Sequence, residues 1–279
     1  MVPDVASRWK FTRFDTGIFS FPTGVGSRER SFFMRKTATL FDHPFSKEYW
    51  KAAAAQFSDL RTFAVAALII ALRVAVKFFK IPLVQGLDLT FDCYVNAVGS
   101  AVYGPLVGLV VGAISDTIGC IVAPNGAYFF PFIFVEMTSS FLFGLFLWRQ
   151  KITVGKTILA KFTVNLVCNI ILNSIIMRWD YYVFYGIEKA EAYHLINLVR
   201  IAKNLILFPI EGVLICLLFS AVIPALKPLS LFPAEQDKLI FTKKHWLLIA
   251  LTFLLSVGLV LLYIFVLKDL IKANNITLL

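Results

Sequence analysis

Charged and amide side chains are rare in the long apolar stretches of this chain, and the few that occur there are the ones able to do chemistry. They include Arg73, Asp92, Asn96, Asp116, Glu136, Asn169, Asn173, Arg200, Lys203 and Asn204, with Tyr128, Phe129, Phe130 and Phe132 close by in sequence. Guanidinium and ammonium groups meet carboxylates or phosphates, amides read the edges of heterocycles, and aromatic rings stack on flat molecules. Carboxylates inside apolar segments can also relay protons. A nucleophile or metal constellation is harder to assemble. There is no HExxH, no Ser-centred elbow, and His43, His194 and His245 fall in polar connecting segments. Cys93, Cys120, Cys168 and Cys216 lie in apolar segments without CxxC spacing and read as small buried hydrophobes, a Cys93–Cys120 bond being the one pairing left open. Gly155-Lys156-Thr157 has the ending of a phosphate loop, but Gln150 stands where the first glycine is required. No catalytic residue, metal ligand or cofactor is therefore assigned.

The elements that carry these residues follow from composition. Of 279 residues 59% are hydrophobic, only 16% are charged and 28 are phenylalanine, and the mean hydropathy is +0.79. Soluble domains run at about 45–50% apolar with about a quarter charged. The apolar residues also come in blocks of about twenty, the length of helix that crosses a ~30 Å hydrocarbon core. The chain reads as an all-α, polytopic membrane protein, which sets aside disorder, a disulfide-rich secreted module and a membrane β-barrel. The +10 net charge is of the kind that cytoplasmic loops carry, and no soluble module interleaves aromatics with arginine, so nucleic acid is not an expected partner.

Residues 1–58 form a mixed, basic tail expected inside the cell, ending in Phe45–Asp59, whose composition favours an amphipathic helix at the membrane surface. Seven spans are expected at about 60–79, 91–104, 105–123, 128–148, 157–177, 198–226 and 246–267. A six-span bundle over 59–226 is followed by a linker at 227–245 and an extra span with a short tail at 246–279. Lys and Arg number ten in the loops and pre-span residues of one side and five on the other, which places the N-terminus inside and the C-terminus outside. Trp148, Trp179 and Trp246 stand at span ends, where such rings favour the interface.

Depth then groups the polar residues. Arg73 lies about 21 Å along the first span with Lys77 beyond it, Asp116 about 17 Å along the third, and Glu136 about 12 Å into the fourth. Asp92 and Asn96 occupy the outer half of the second span, and Asn165, Asn169 and Asn173 share one stripe of the fifth. Arg200, Lys203 and Asn204 open the sixth near the outer surface. Each alone could be a satisfied structural group, Arg73 and Lys77 by snorkelling, Asp116 by pairing with a basic neighbour. Their shared depth points instead to one pocket opening outward for a flat, polar, anionic molecule. Gly104, Gly108 and Gly112 lead to Asp116 on one face and read as helix packing. Ala67, Ala71 and Ala75 form a second small-residue stripe, open to packing or to docking another membrane subunit.

With these residues in view, the chain resembles the folate family of S components from energy-coupling factor (ECF) vitamin transporters. The matching pieces run from Pro44-Phe-Ser-Lys-Glu-Tyr-Trp50 through Ala71-Leu-Arg73, Tyr103-Gly-Pro105 with Gly108, Gly112 and Asp116, and Pro124-Asn-Gly126. They continue with Tyr128-Phe-Phe-Pro131, Gly144-Leu-Phe-Leu147 and Arg200-Ile-Ala-Lys203-Asn204 through Pro209-Ile-Glu211. The resemblance implies a six-helix substrate-binding subunit that hydrolyses no ATP, joins a transmembrane T component and two ATPases, and topples to release its vitamin inward. It makes Arg73, Asp116, Tyr128, Arg200, Lys203 and Asn204 ligand or gate residues, segments 80–90 and 124–128 gating loops, and Ala67, Ala71 and Ala75 the docking stripe. Asn96, Phe130, Phe132, Glu136, Asn169 and Asn173 complete the expected pocket on the residue reading alone. The chain departs from the family at Phe91-Asp92-Cys93-Tyr94, at Phe132-Ile-Phe-Val-Glu136 and in its seventh span. Folate, a related pterin or another anionic vitamin is thus the expected ligand. The rival is a membrane enzyme or autonomous carrier using Asp116 and Glu136.

Overall fold

The computed structural model of the protein describes residues 40–84, 87–124, 128–192 and 198–262. The expected tail over 1–39 and the end of the chain beyond 262 lie outside them. Apart from one hairpin, the regular elements among the described residues are helices. α1 spans Lys47–Ala55, α2 Leu60–Val76, α3 Asp92–Tyr103, α4 Pro105–Val122 and α5 Phe132–Leu147. α6 (Val154–Val164) continues through a π-helical stretch, Asn165–Leu172, into α7 (Asn173–Tyr185). The short α8 (Ile187–Ala192), the long α9 (Leu198–Leu226) and α10 (Lys243–Leu262) follow. Among the described residues, helix thus occupies the greater part of each stretch read as a span. Pro105–Val122, Val154–Tyr185 and Leu207–Leu226 are long and apolar enough to cross a bilayer unaided.

The distribution of side chains is that of a bundle meant for lipid. Arg73 is wholly buried, whereas Leu68 and Leu251 are 67% and 64% exposed. An exterior of leucine and isoleucine around buried charge is unfavourable in water and favourable in hydrocarbon, where charged groups turn inward to partners. α2 illustrates the division. Thr62, Ala66, Ile69 and Arg73, at helical spacing, face the core, and Ala67, Ala71 and Ala75 lie exposed on another face.

Glycine makes two of the connections possible. α3 and α4 meet at Gly104, whose φ of 88° suits glycine, and a Cβ there would sit 2.9 Å from the Trp148 ring. Pro105 then starts α4 with φ already set for a helix. Farther along, Gly112 and Gly144 let α4 and α5 touch backbone to backbone. A Cβ on Gly112 would come within 2.7 Å of the Glu136 carbonyl oxygen, and one on Gly144 within 2.6 Å of Pro105 Cα. This contact fixes where Glu136 begins its reach into the bundle.

Several boundaries differ from those expected. Residues 128–131 precede α5 rather than forming its first turn, so Glu136 is about 6 Å along that helix instead of 12. The 80–90 connection is a two-stranded antiparallel hairpin, β1 (Lys80–Val84) with β2 (Leu87–Thr90), pairing Lys80 with Thr90 and Ile81 with Leu89. Residues 125–127 of the other expected gating loop lie outside the described residues. Trp148 is buried rather than interfacial, because α1 folds back over it. Tyr49 meets its ring edge-on at 5.1 Å, and Arg149 covers it at 4.9 Å. Ser46 caps α1 by accepting from Tyr49 N at 3.1 Å, and the Tyr49 hydroxyl donates to Gly144 O at 3.2 Å. Burial pushes that hydroxyl's pKa well above its ordinary value, so it remains a donor. All four cysteines are free, which closes the Cys93–Cys120 option.

The linker after α9 is built into the bundle. Phe232 and Leu239 join the main apolar core, and the buried Gln236 amide accepts from Ile152 N at 2.9 Å and donates to Ile152 O at 3.1 Å. Lys227 Nζ and Arg61 add bonds to Gln236 O and Leu229 O. We expect Gln236→Ala, which strands both buried backbone groups of Ile152, to lower unfolding stability by about 2–4 kcal/mol. Thermal unfolding in detergent checks this; an unshifted midpoint would show that the linker is not a brace.

Candidate functional site

Arg73 organises a polar cluster in the interior from α2. Its Nε and Nη2 donate to the two Asp92 carboxylate oxygens at 2.9 and 2.8 Å, a bidentate pair. Nη2 also donates to Glu136 Oε2 at 2.5 Å, and Nη1 to Ser140 Oγ at 3.4 Å. Asp92 opens α3, where the helix dipole favours a carboxylate. One turn on, Asn96 accepts from Ser140 Oγ at 2.8 Å and Ser100 Oγ at 3.2 Å, and donates to Ser139 Oγ at 3.1 Å. Three helices are thereby tied to one guanidinium. The fully buried Arg73 cannot be snorkelling to headgroups.

A second ion pair extends this cluster. Lys77, one turn after Arg73, stands 3.6 Å from Asp116 on α4, its side chain lying over Gly119. Glu136 lies within electrostatic range of Lys77 and Asp116 as well as Arg73 and Asp92. Three carboxylates and two cations thus share one region. Glu136 and Asp92 keep 28% and 17% of their side-chain surface accessible although both are paired.

Across the bundle runs a column of amides. Asn169 Nδ2 donates to Asn165 Oδ1 and to Asn204 Oδ1, each at 3.1 Å, joining the π-helical stretch to α9. Asn173 is half-buried at the start of α7. The wide turn that places Asn165–Leu172 is of a type often found at functional sites. One turn before Asn165, Lys161 on α6 forms a buried ion pair with Glu211 on α9 at 2.8 Å, beside Cys93. Neither residue was among those expected to line a site. Their signal was present: Lys161 is one turn before Asn165, and Glu211 follows Asn204 by seven residues, about two turns of the same helix.

The aromatic residues divide. Phe132 is half-buried against the core, and Phe129 holds the mouth together, with Phe132 at 6.1 Å, Trp179 at 5.5 Å and Phe184 at 5.9 Å between ring centroids. Tyr128 and Phe130 are exposed, Phe130 facing Phe134 on the outer surface of α5. Arg200 and Lys203 belong to the first turns of α9, and their side chains lie outside the described residues. A shallow cavity of about 390 Å³ next to Trp179 is lined by Ile175, Arg178, Tyr182, Ile187, Ala190 and Glu191 and by none of the expected ligand residues. Among the described residues no three His, Cys, Asp or Glu side chains gather as a metal site.

The structure therefore brings Arg73, Asn96, Asp116 and Glu136 into one polar region and Asn169 and Asn204 into another.

Comparison with known proteins supplies the family. The family of ECF transporter substrate-specific components matches residues 61–223. The folate transporter FolT of Clostridium novyi (strain NT) is 29% identical over 119 residues, 43% of this chain and 64% of that protein, just under two thirds of its length. FolT of Leuconostoc mesenteroides subsp. mesenteroides is 29% identical over 161 residues, 55% of this chain and 81% of that protein. A crystal structure of FolT bound with folic acid aligns at 22% identity with a TM-score of 0.45, covering 55% of this chain and 88% of that one. Matched over more than half its length, the chain belongs to the substrate-specific components of ECF transporters and is a membrane transporter component.

Proposed function

We propose that the protein is the substrate-binding subunit of an ECF-type vitamin importer, taking folate or a closely related anionic pterin. The observation that supports this most directly is the pair of polar arms within an otherwise apolar bundle, in a chain similar to two folate transporters. A membrane protein without a polar guest gains little from enclosing four charged groups around Arg73, because each must be desolvated and repaid by pairing. In this reading the subunit binds at its outer side and releases its ligand inward with a T component and two ATPases. It performs no chemistry on the ligand. It sits in the cell membrane with the N-terminus inside and the C-terminus outside.

Within the pocket the roles sort by availability. Arg73 is enclosed and already shared by two carboxylates, so it acts as a positioning residue that holds Asp92 and Glu136 as hydrogen-bond acceptors. Those carboxylates meet the N–H edge of a heterocycle. The carboxylates of the ligand fall to Arg200 and Lys203 at the start of α9. Asn96, Asn169, Asn173 and Asn204 supply amide contacts, and Phe132 a stacking wall. Tyr128 and Phe130, exposed at the mouth, serve entry rather than the bound state. The rival reading, an autonomous carrier with Asp116 and Glu136 as proton relays, predicts uptake without partner ATPases.

The purified subunit alone should bind folic acid stoichiometrically in titration calorimetry without ATP, and other vitamins on a panel should bind weakly or not at all. Silence with folic acid and heat from a different vitamin would reassign the ligand. The exposed Ala67, Ala71 and Ala75 face is the docking surface for the T component. Ala71→Leu should therefore abolish co-purification of the assembled transporter and leave folic acid binding within about twofold. Normal yield of the complex would remove that assignment.

A further inference from the structure

The cavity beside Trp179 is built from two helical stripes. Ile175, Arg178, Trp179 and Tyr182 follow one another at spacings of three and four on α7, so they share one side of that helix. Gly186, whose φ of 86° suits glycine, then turns the chain into α8. On α8 the stripe Ile187, Ala190 and Glu191 forms the other wall of a space of about 390 Å³. No residue of the charge cluster or of the amide column lines it. Its level follows from helix length. Val154–Tyr185 runs for 32 residues, about 48 Å of helix against a hydrocarbon core of ~30 Å. Counted from Val154, and even at a tilt of ~20°, about the last three turns of α7 stand at the level of lipid headgroups. Trp179, Tyr182 and Tyr185 are all more than half exposed there, as rings at a membrane–water boundary are. Arg178 and Glu191 are exposed as well, and among the described residues neither has an ion-pair or hydrogen-bond partner, in each other or elsewhere.

We propose that this groove binds the headgroup of a zwitterionic phospholipid, one that carries both a phosphodiester and an ammonium. The Arg178 guanidinium takes the phosphate oxygens. Glu191 takes the ammonium, with the Trp179 and Tyr182 rings beside it. Ile175 and Ile187 supply the apolar wall along which the acyl chains leave. Charge complementarity selects this occupant. An anionic headgroup would set a like charge against Glu191, a cationic one would do the same to Arg178, and a neutral sugar would answer neither. The volume stands at the lower end of the ~300–1,000 Å³ found for small-molecule sites, the scale of a headgroup rather than of a whole lipid. A bound lipid ties the α7–α8 turn to the surrounding leaflet. It does so next to Phe129, whose ring meets Trp179 edge-on at 5.5 Å. The site is separate from the vitamin pocket and does not depend on it.

The test is native mass spectrometry of the full-length chain in detergent, titrated with an equimolar mixture of phosphatidylethanolamine and phosphatidylglycerol of identical acyl chains. Wild type should retain one phosphatidylethanolamine in preference to phosphatidylglycerol by about 3- to 10-fold. Glu191→Gln should bring that preference to within about twofold. Arg178→Gln should weaken retention of both lipids by about 3- to 10-fold. Both changes are to exposed side chains, and unshifted thermal midpoints are expected for each. A wild type without headgroup preference, or a preference that survives Glu191→Gln, overturns the proposal. Release of the lipid by saturating folic acid also overturns it, by placing the groove within the vitamin site. The preference itself is read without folic acid, so failure of the vitamin reading leaves it standing.

Discussion

One guanidinium sets the geometry of this bundle. Arg73 is buried beyond reach of water, yet it is shared between Asp92 and Glu136 and reaches Ser140, so α2, α3 and α5 cannot move apart without stripping a charge of its partners. Breaking a buried pair by removing one member typically costs about 3–5 kcal/mol, because what is left behind is a lone charge in a poor solvent. The backbone contact of α4 with α5 at Gly112 and Gly144 supports the same arrangement from the other side, bringing Glu136 to the height where Arg73 can hold it. Packing and electrostatics are thus a single constraint here.

The functional interior follows from that constraint. The charge cluster lies on the helices preceding the α5–α6 turn, and the amide column lies on those following it. The two arms are unlike: one is rich in fixed carboxylate acceptors, the other in neutral amides with a closed ion pair at its base. In the proposed function a flat guest with distinct donor and acceptor edges would lie between these two regions in one orientation. The linker of the C-terminal addition packs elsewhere. It is bonded to Ile152 at the other end of the bundle, beyond the residues that match the family.

Much of this was legible in the sequence because membrane spans are written in apolar length and because charge inside a span is rare enough to count. The grouping of Arg73, Asn96, Asp116 and Glu136 came from depth alone. Other features had no such signature. Lys161 sits close after the basic loop containing Lys151 and Lys156, where another lysine looks like more of the same. A π turn has no residue pattern that announces it, so the register of Asn165, Asn169 and Asn173 could be seen only as a straight stripe. Trp148 resembles an interfacial anchor until α1, about a hundred residues earlier in the chain, is folded over it. Phe129 and Phe130 exchange prominence because the helix begins at Phe132, and adjacent residues outside a helix point to different sides.

Arg73 and its two carboxylate partners form one mutually dependent ion cluster. Thermal unfolding of Arg73→Gln, compared with the triple variant Arg73→Gln, Asp92→Asn, Glu136→Gln, tests it most directly. The single variant should lose about 3–5 kcal/mol, and the triple should recover most of that loss, since neutral amides remove the stranded charges. A single variant as stable as wild type, or a triple no better than the single, would contradict it.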